Sequence, residues 1–323
     1  MNAVKARIGK ASFDRKLVTR KKIRIIRKYK VLYLFILPGF IGLLLFNYAP
    51  MIGLTMVFQD YSPISGFLRS SWTGLDNFKT LFASPVFGRA LRNSAIISIL
   101  KLAIGFPLPI LFALLFNELR SSKLKKTVQT FSYLPYFVSW VIVAGIWYKM
   151  LSPDDGIINQ ILLGTGIVHQ PVFFMQNKVL FYFVILFTDV WKNLGYSSIY
   201  YLAAIASIDS EQYEAAIVDG AGRFKQAVYI TLPGMKTTII LLLILSISSL
   251  LNAGFDQLYT MDNLSVREVS DILDTAVVRY LTTGNIQDLS VGAAMGFFKS
   301  VIGVILFVGA NLVAKAAKQE SII

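Results

Sequence analysis

Thr188, Asp189, Lys192, Asn193 and Tyr196 recur at helical spacing on one face of a long apolar stretch. Ionisable groups are costly inside hydrocarbon, so their presence there is informative. Asp189 and Lys192, three residues apart, are placed to form an ion pair. Asn193 and Tyr196 offer hydrogen bonds, and Trp191 offers a flat apolar surface on which a ring can stack. Further along, Ser248, Asn252, Asp256 and Tyr259 make a second polar stripe. Asp189, Trp191, Lys192, Asn193, Tyr196, Asn252 and Asp256 are therefore candidates for lining the path of a polar solute. The same groups would serve equally as interhelical hydrogen bonds that fix a bundle. Lys101 and Lys299 also fall inside apolar stretches, against Asp189 as the one firmly intramembrane acid. A water-filled path with that excess favours anionic cargo, and snorkelling of the lysines to an interface is the competing account.

No catalytic constellation accompanies these groups. The chain has no cysteine and a single histidine, His169, so neither a thiolate metal site nor a histidine-based centre is expected. A phosphate-binding Gly-x-x-x-x-Gly-Lys-Ser/Thr loop does not occur, which excludes ATP binding by that device. Gly164-Thr165-Gly166 lacks the strand and helix that a dinucleotide fold requires, and Asp154-Asp155 reads as a solvated turn. No catalytic, cofactor-binding or metal-binding residue is assigned.

The elements that must carry these groups are membrane helices. Apolar residues are 55% of the chain and charged ones 15%, a balance few soluble domains show. Val31 to Pro50 is twenty residues without a charge, enough to cross about 30 Å of hydrocarbon. Further spans run from about Arg89 to Phe116, Thr127 to Tyr148, Val179 to Ile208, Lys236 to Phe255 and Val291 to Val313. Six transmembrane helices are expected, with Pro38, Pro107, Pro109 and Pro135 bending rather than ending them. Residues 1–30 carry twelve Lys or Arg against Asp14 alone and suit an anionic membrane surface better than a cleavable leader. With that segment cytoplasmic, the inner segments hold twenty Lys or Arg and the outer ones seven, together with ten of the eighteen acids. The bias places both termini in the cytoplasm and argues against nucleic acid as the partner of the net +14 charge.

Between the fourth and fifth spans lies a polar island, Glu211 to Pro233. Asp209 can cap a helix start, with Gln212 in the capping-box position. Asp219-Gly220 stops that helix with a glycine suited to a left-handed turn, and a second helix restarts at about Gly222. Alanines leave a smooth surface for a partner groove, while Glu214 and Asp219 offer acceptors to a partner's Arg or Lys.

Glu214-Ala215-Ala216, Asp219-Gly220-Ala221 and Leu232-Pro233, at this spacing between two spans, resemble the cytoplasmic coupling loop of importer permeases driven by ATP-binding cassettes. Thr73-Gly74-Leu75-Asp76-Asn77-Phe78, then Leu81, Phe82, Pro85 and Arg92-Asn93-Ser94, looks like the segment before the second span of sugar-type permeases. Pro135 through Trp147, then Gly156, Ile157, Asn159 and Leu162, is similar to their third span and following loop. The matches cover most of residues 70–240. Within that family the size and basic N-terminus look most like permeases for oligosaccharides and acidic polysaccharides, such as alginate or pectin fragments. The chain departs from the larger maltose-type permease, which has extra N-terminal spans and a large outer domain.

The resemblance implies an all-α, polytopic membrane protein with the type I ABC importer transmembrane fold. Residues 1–30 would be a basic cytoplasmic or interfacial segment, 31–317 the transmembrane permease domain with its coupling loop at 209–233, and 318–323 a cytoplasmic tail. It also implies a second homologous permease, two ATPase subunits, an extracytoplasmic solute-binding protein and a bacterial inner membrane. ATP and magnesium would be held by the ATPase partners and not by this chain. The expected cargo is a carbohydrate, an acidic oligosaccharide in particular, whose rings stack on Trp191. Two rival classes remain: an ion-coupled secondary transporter, for which Asp189 is nearly the only coupling acid, and a scaffold or insertase without a solute path. An importer permease for a non-carbohydrate solute is a further alternative.

Overall fold

A computed structural model describes residues 28–282 and 286–317. All but the last three residues of the basic N-terminal segment, and the whole 318–323 tail, lie outside them. The chain divides at Thr55 into two units, Met1–Thr55 and Met56–Ile323.

In the first unit, helix α1 (Lys30–Leu43) carries Pro38 internally and buries no residue. A helix apolar on every face and unburied is what hydrocarbon solvates. It passes into a π turn at Leu44–Tyr48.

The second unit opens with a two-residue antiparallel ladder that pairs Gln59 with Trp72 and Asp60 with Ser71. Helix α2 (Asp76–Ala83) follows and buries Leu81. Helices α3 (Pro85–Gly105) and α4 (Pro107–Asn117) form one apolar passage of 33 residues, jointed at Pro107, whose missing amide suits a first helical turn. Helix α5 (Ser122–Tyr133) is capped by the Ser121 hydroxyl, which accepts from the Leu124 amide. It runs through a 3-10 turn at Leu134–Phe137 into a break at Val138-Ser139, and α6 (Trp140–Met150) leaves at 103°. Pro135 is expected to bend this span, and the bend is sharp and lies three residues beyond it, at Val138-Ser139. Pro135 lies in the first turn of the 3-10 segment, where a missing amide is tolerated, and the ladder stops beyond it because Val138 and Ser139 are extended.

Helix α7 (Lys178–Ala206) starts at Asn177, whose side chain accepts from the amides of Val179 and Leu180. Then come α8 (Ser210–Val218), a short helix at Arg223–Gln226, and α9 (Lys236–Ser248), bent 59° from the segment before it. Helix α10 (Phe255–Met261) leads through loops into α11 (Leu273–Thr282) and the long α12 (Ile286–Ala316). Among the described residues three helices are long and apolar enough to span a bilayer, and five if each bent pair is one span. The expected fourth span, α7, has 29 residues, ample length, but its polar residues dilute the apolar signal.

Three apolar clusters hold the second unit. One joins Ile97, Ala144, Ile185 and Leu258, a second packs Leu81, Phe87, Leu273 and Met295, and a third sets Ala113, Tyr201 and Ile205 against Met235. The asparagines of the sequence motifs pin loop backbone between them. Asn93 donates to the Glu268 and Asp271 carbonyls, and Asn159 to those of Leu151, Ser152 and Val172. Asn77 donates to the Val57 and Gln59 carbonyls.

Candidate substrate path and coupling surface

Lys101 of α3 sits where three elements converge. Its ammonium donates to Asp189 Oδ1 of α7 at 3.1 Å and to Gln257 Oε1 of α10 at 2.5 Å. Gln257 is fully buried and anchored in turn, donating to the Ile185 carbonyl at 2.7 Å and to the Thr188 hydroxyl at 2.8 Å. Asn193, one turn beyond Asp189, donates to Asp189 Oδ1 at 3.3 Å. Space for the ammonium comes from Gly254, whose φ of +94° suits glycine and where a Cβ would lie 2.6 Å from Lys101 Nζ.

This network forms part of the wall of a cavity of about 370 Å³. Ser98 and Lys101 line it from α3, Asp189, Asn193, Ser197 and Tyr200 from α7, and Ser246 with Ser249 from the end of the fifth span. The ion pair reaches that space, the side chains of Lys101 and Asp189 being 13% and 21% exposed. Donors, acceptors and hydroxyls on one concave wall, with the Phe106 ring among them, suit a hydroxyl-rich solute.

The fourth-span stripe thus divides. Asp189 and Asn193 line the cavity. Lys192 and Tyr196 do not; they turn to the third span, where Lys192 meets backbone carbonyls and Tyr196 stacks on Tyr136 with ring centroids 3.7 Å apart. The expected Asp189–Lys192 pair does not form, because Asp189 is taken by Lys101 from another helix. Trp191 is 38% exposed and sets its ring edge-on to Trp147 at 5.9 Å, outside the cavity lining.

The fifth-span stripe is not one helical face. Helix α9 ends at Ser248, and Gly254 turns the chain before α10 begins. Asn252 lines a second cavity of about 380 Å³ beside Lys299 and Asp274, whose ion pair closes at 2.6 Å. Asp256 is exposed in the first turn of α10. Gln257, Asp274 and Tyr200 do not stand out in the sequence. The signal for two of them was available, since a lysine inside a span needs an acceptor from a neighbouring element.

On the polar island, Asp209 accepts from the Glu211 amide at 3.0 Å and caps α8. The helix ends in a Schellman turn: Gly220 has φ +74°, its amide bonds the Ile217 carbonyl at 3.0 Å, and the Ala221 amide bonds Ala216 at 2.8 Å. Tyr213 and Thr231 join the two helices of the island through a 2.9 Å hydroxyl contact. Arg223 pairs with Glu118 at the end of the second span at 3.4 Å. Glu214, Ala215, Asp219 and Gly220 are exposed, and Ala216 and Ala221 half-buried. Around them Val218 and Phe224 stand 87% and 82% exposed, beside exposed Ile217 and Tyr229. Large apolar side chains left exposed on a polar loop make the island a candidate contact site.

Residues 105–319 match the family described as binding-protein-dependent transport system inner membrane component. The chain is 45% identical to Protein LplB of Bacillus subtilis (strain 168), over 92% of each. It is 43% identical to the polygalacturonan/rhamnogalacturonan transport system permease protein YteP of the same organism, over 94% of this chain and 93% of the relative. In a crystal structure of a bacterial alginate ABC transporter, in complex with alginate pentasaccharide-bound periplasmic protein, one chain superposes with a TM-score of 0.83. It is 36% identical, over 93% of this chain and 99% of that one. The chain therefore belongs to the family of inner-membrane components of binding-protein-dependent transport systems, and is a transport permease rather than an enzyme.

Proposed function

We propose that this permease forms half of the pathway by which an ATP-driven importer moves a carbohydrate, an acidic oligosaccharide in particular, into the cell. The observation that carries the reading is the cavity of Lys101, Asp189, Asn193, Ser197 and Tyr200, a hydroxyl-binding set enclosed by apolar helices. The likeness to permeases for pectin fragments and alginate supports a polysaccharide-derived cargo. The lysines do not add to the acidic part of that reading. Lys101 and Lys299 each face a carboxylate, so each of the two cavities they line offers a neutral ion pair to hydroxyls rather than a free cation to carboxylates.

The partners are a second permease, two ATPases that hold ATP and magnesium, and an extracytoplasmic binding protein. The island at 211–233, with Glu214, Ala215, Ala216, Asp219, Gly220 and Ala221, is the surface for the ATPase. Both termini lie in the cytoplasm, and residues 31–317 form the transmembrane domain. ATP binding shifts the transporter between inward-open and outward-open states only if the closed ATPases hold the island in a different geometry from the open ones. The capped helix and Schellman turn make the island stiff enough to pass that difference on.

The test is co-purification followed by reconstitution. The permease should carry an ATPase with it, and binding protein loaded with oligogalacturonate should stimulate hydrolysis in proteoliposomes. Asp189→Asn should lower uptake with the complex intact. Uptake driven by an ion gradient, without any co-purifying ATPase, would establish the secondary-transporter reading instead.

A further inference from the structure

Lys192 is 6% exposed in the middle of α7, and among the described residues no carboxylate pairs with it. Its ammonium donates instead to three backbone carbonyls of the third span: Pro135 at 3.2 Å, Tyr136 at 2.7 Å and Val138 at 2.5 Å. The rings of Tyr136 and Trp140 flank it, each centroid 5.5 Å from Nζ. These carbonyls lie at the break between α5 and α6. There the backbone is extended at Val138 and Ser139, and the two halves meet at 103°. The C-terminal end of a half-helix presents carbonyls that no continuing helix serves and a negative dipole end; of the three here, the Pro135 carbonyl also accepts from the Val138 amide at 3.2 Å. In lipid such groups must find a donor within the protein.

Three carbonyls and two ring faces around one positive charge make a cation site. Broken helices of ion-coupled transporters use unwound carbonyls of this kind to hold a coupling ion. Here the chain supplies the cation itself. We propose that Lys192 is a tethered cation that fills the carbonyl site at the break of the third span. It thereby fixes the angle between the two halves and locks the first half onto α7.

Two further contacts on the same face of α7 point the same way. A Cβ at Gly195 would fall on the backbone carbonyl of Ser132, so only glycine admits the close approach of α5. Tyr196 stacks on Tyr136 with ring planes 4° apart. Lys192, Gly195 and Tyr196 thus grip residues 132–138, leaving Asp189 and Asn193 of the same helix to face the cavity. Helix α7 runs into the coupling island three residues after its end, so a displacement of the island reaches α5 as one body with α7. Lys192 is in this sense a positioning residue, which touches no cargo. The proposal rests on family membership and not on the identity of the cargo.

The natural chain has no cysteine, so spin labels at introduced Phe131→Cys and Val141→Cys report the distance across the break directly. The measurement is made on the assembled transporter in nanodiscs and needs no substrate. A narrow distance distribution is expected with Lys192 and a broad one with Lys192→Ala. Ammonium chloride should narrow the Lys192→Ala distribution again, whereas sodium chloride at equal ionic strength should do so less, since ammonium can supply the three N–H donors of the lysine head and sodium cannot. Lys192→Met, which fills the space without a charge, should stay broad in both salts. ATP hydrolysis stimulated by the binding protein should fall about tenfold in Lys192→Ala and recover with ammonium, the size of one charge-assisted hydrogen bond. A distribution for Lys192→Met as narrow as the natural one would overturn the proposal. So would a Lys192→Ala distribution that ammonium leaves broad. If Lys192→Ala does not assemble, assembly of Lys192→Arg but not of Lys192→Met supports the tethered charge, and assembly of Lys192→Met opposes it.

Discussion

Lys101 shows how a single membrane-embedded charge organises what surrounds it. An ammonium among apolar helices is tolerable only with acceptors, and it finds a charged one in Asp189 and a neutral one in Gln257. The neutral acceptor is itself held by Thr188 and the Ile185 carbonyl, so the position of the charge is determined by three elements. Removing one partner leaves the other unpaired. Lys101→Met or Asp189→Leu alone should therefore cost about 3–5 kcal/mol, while the double substitution should cost clearly less than the sum. Thermal unfolding of the four proteins in nanodiscs gives the cycle, and strict additivity would mean that the pair does not act as a unit.

At the scale of elements, the polar island and the loops at the other end of α7 depend on local chemistry of different kinds. Gly220 closes the Schellman turn in the left-handed region, with open space around it, so Gly220→Leu is strained by conformation and not by a clash. The strain is about 1–2 kcal/mol. The substitution should reduce the amount of ATPase retained on purification, and Glu214→Ala should lower stimulated hydrolysis with the turn intact. Equal retention and hydrolysis in both variants would remove the island from the coupling surface. At the other end of α7, Lys178 pairs with Glu268, and its hydrogen bond and charge hold the Glu268 carboxyl below the ordinary value of 4.5. A carboxyl depressed in the folded state contributes stability above its unfolded value. That contribution is lost as pH falls from 4.5 through the folded value. Both side chains are exposed, so the effect is small. The fall in melting temperature below pH 4.5 should be slightly shallower in Lys178→Met than in the natural chain.

For the whole molecule, the charge bias sets an orientation that labelling can read. Cysteines at Lys123 and Arg223 should be shielded from an impermeant reagent in intact cells, and cysteines at Asp76 and Asp155 should react. Asp271, also assigned to the outer side by sequence, is fully buried between Arg89 and Arg279 and would not report. Reaction of position 223 from outside would invert the topology and take the island away from the ATP-bearing compartment.

Composition and spacing alone determined the class, the helical membrane architecture and the island, because each is written in contiguous residues. Apolar runs, the bias of Lys and Arg, and the Asp219-Gly220 turn need no distant partner to be read. The partition of the fourth-span stripe was different. Helical spacing puts Asp189, Lys192, Asn193 and Tyr196 on one broad face but cannot tell which neighbour each edge of that face meets. Tertiary packing decided that Asp189 pairs with Lys101 and that Lys192 serves the carbonyls of a broken helix. The break at Val138-Ser139 and the end of α9 before Gly254 were likewise decided by packing. In an apolar run the hydrophobic pattern continues through a kink, and only groups from other helices reveal where the backbone ladder stops.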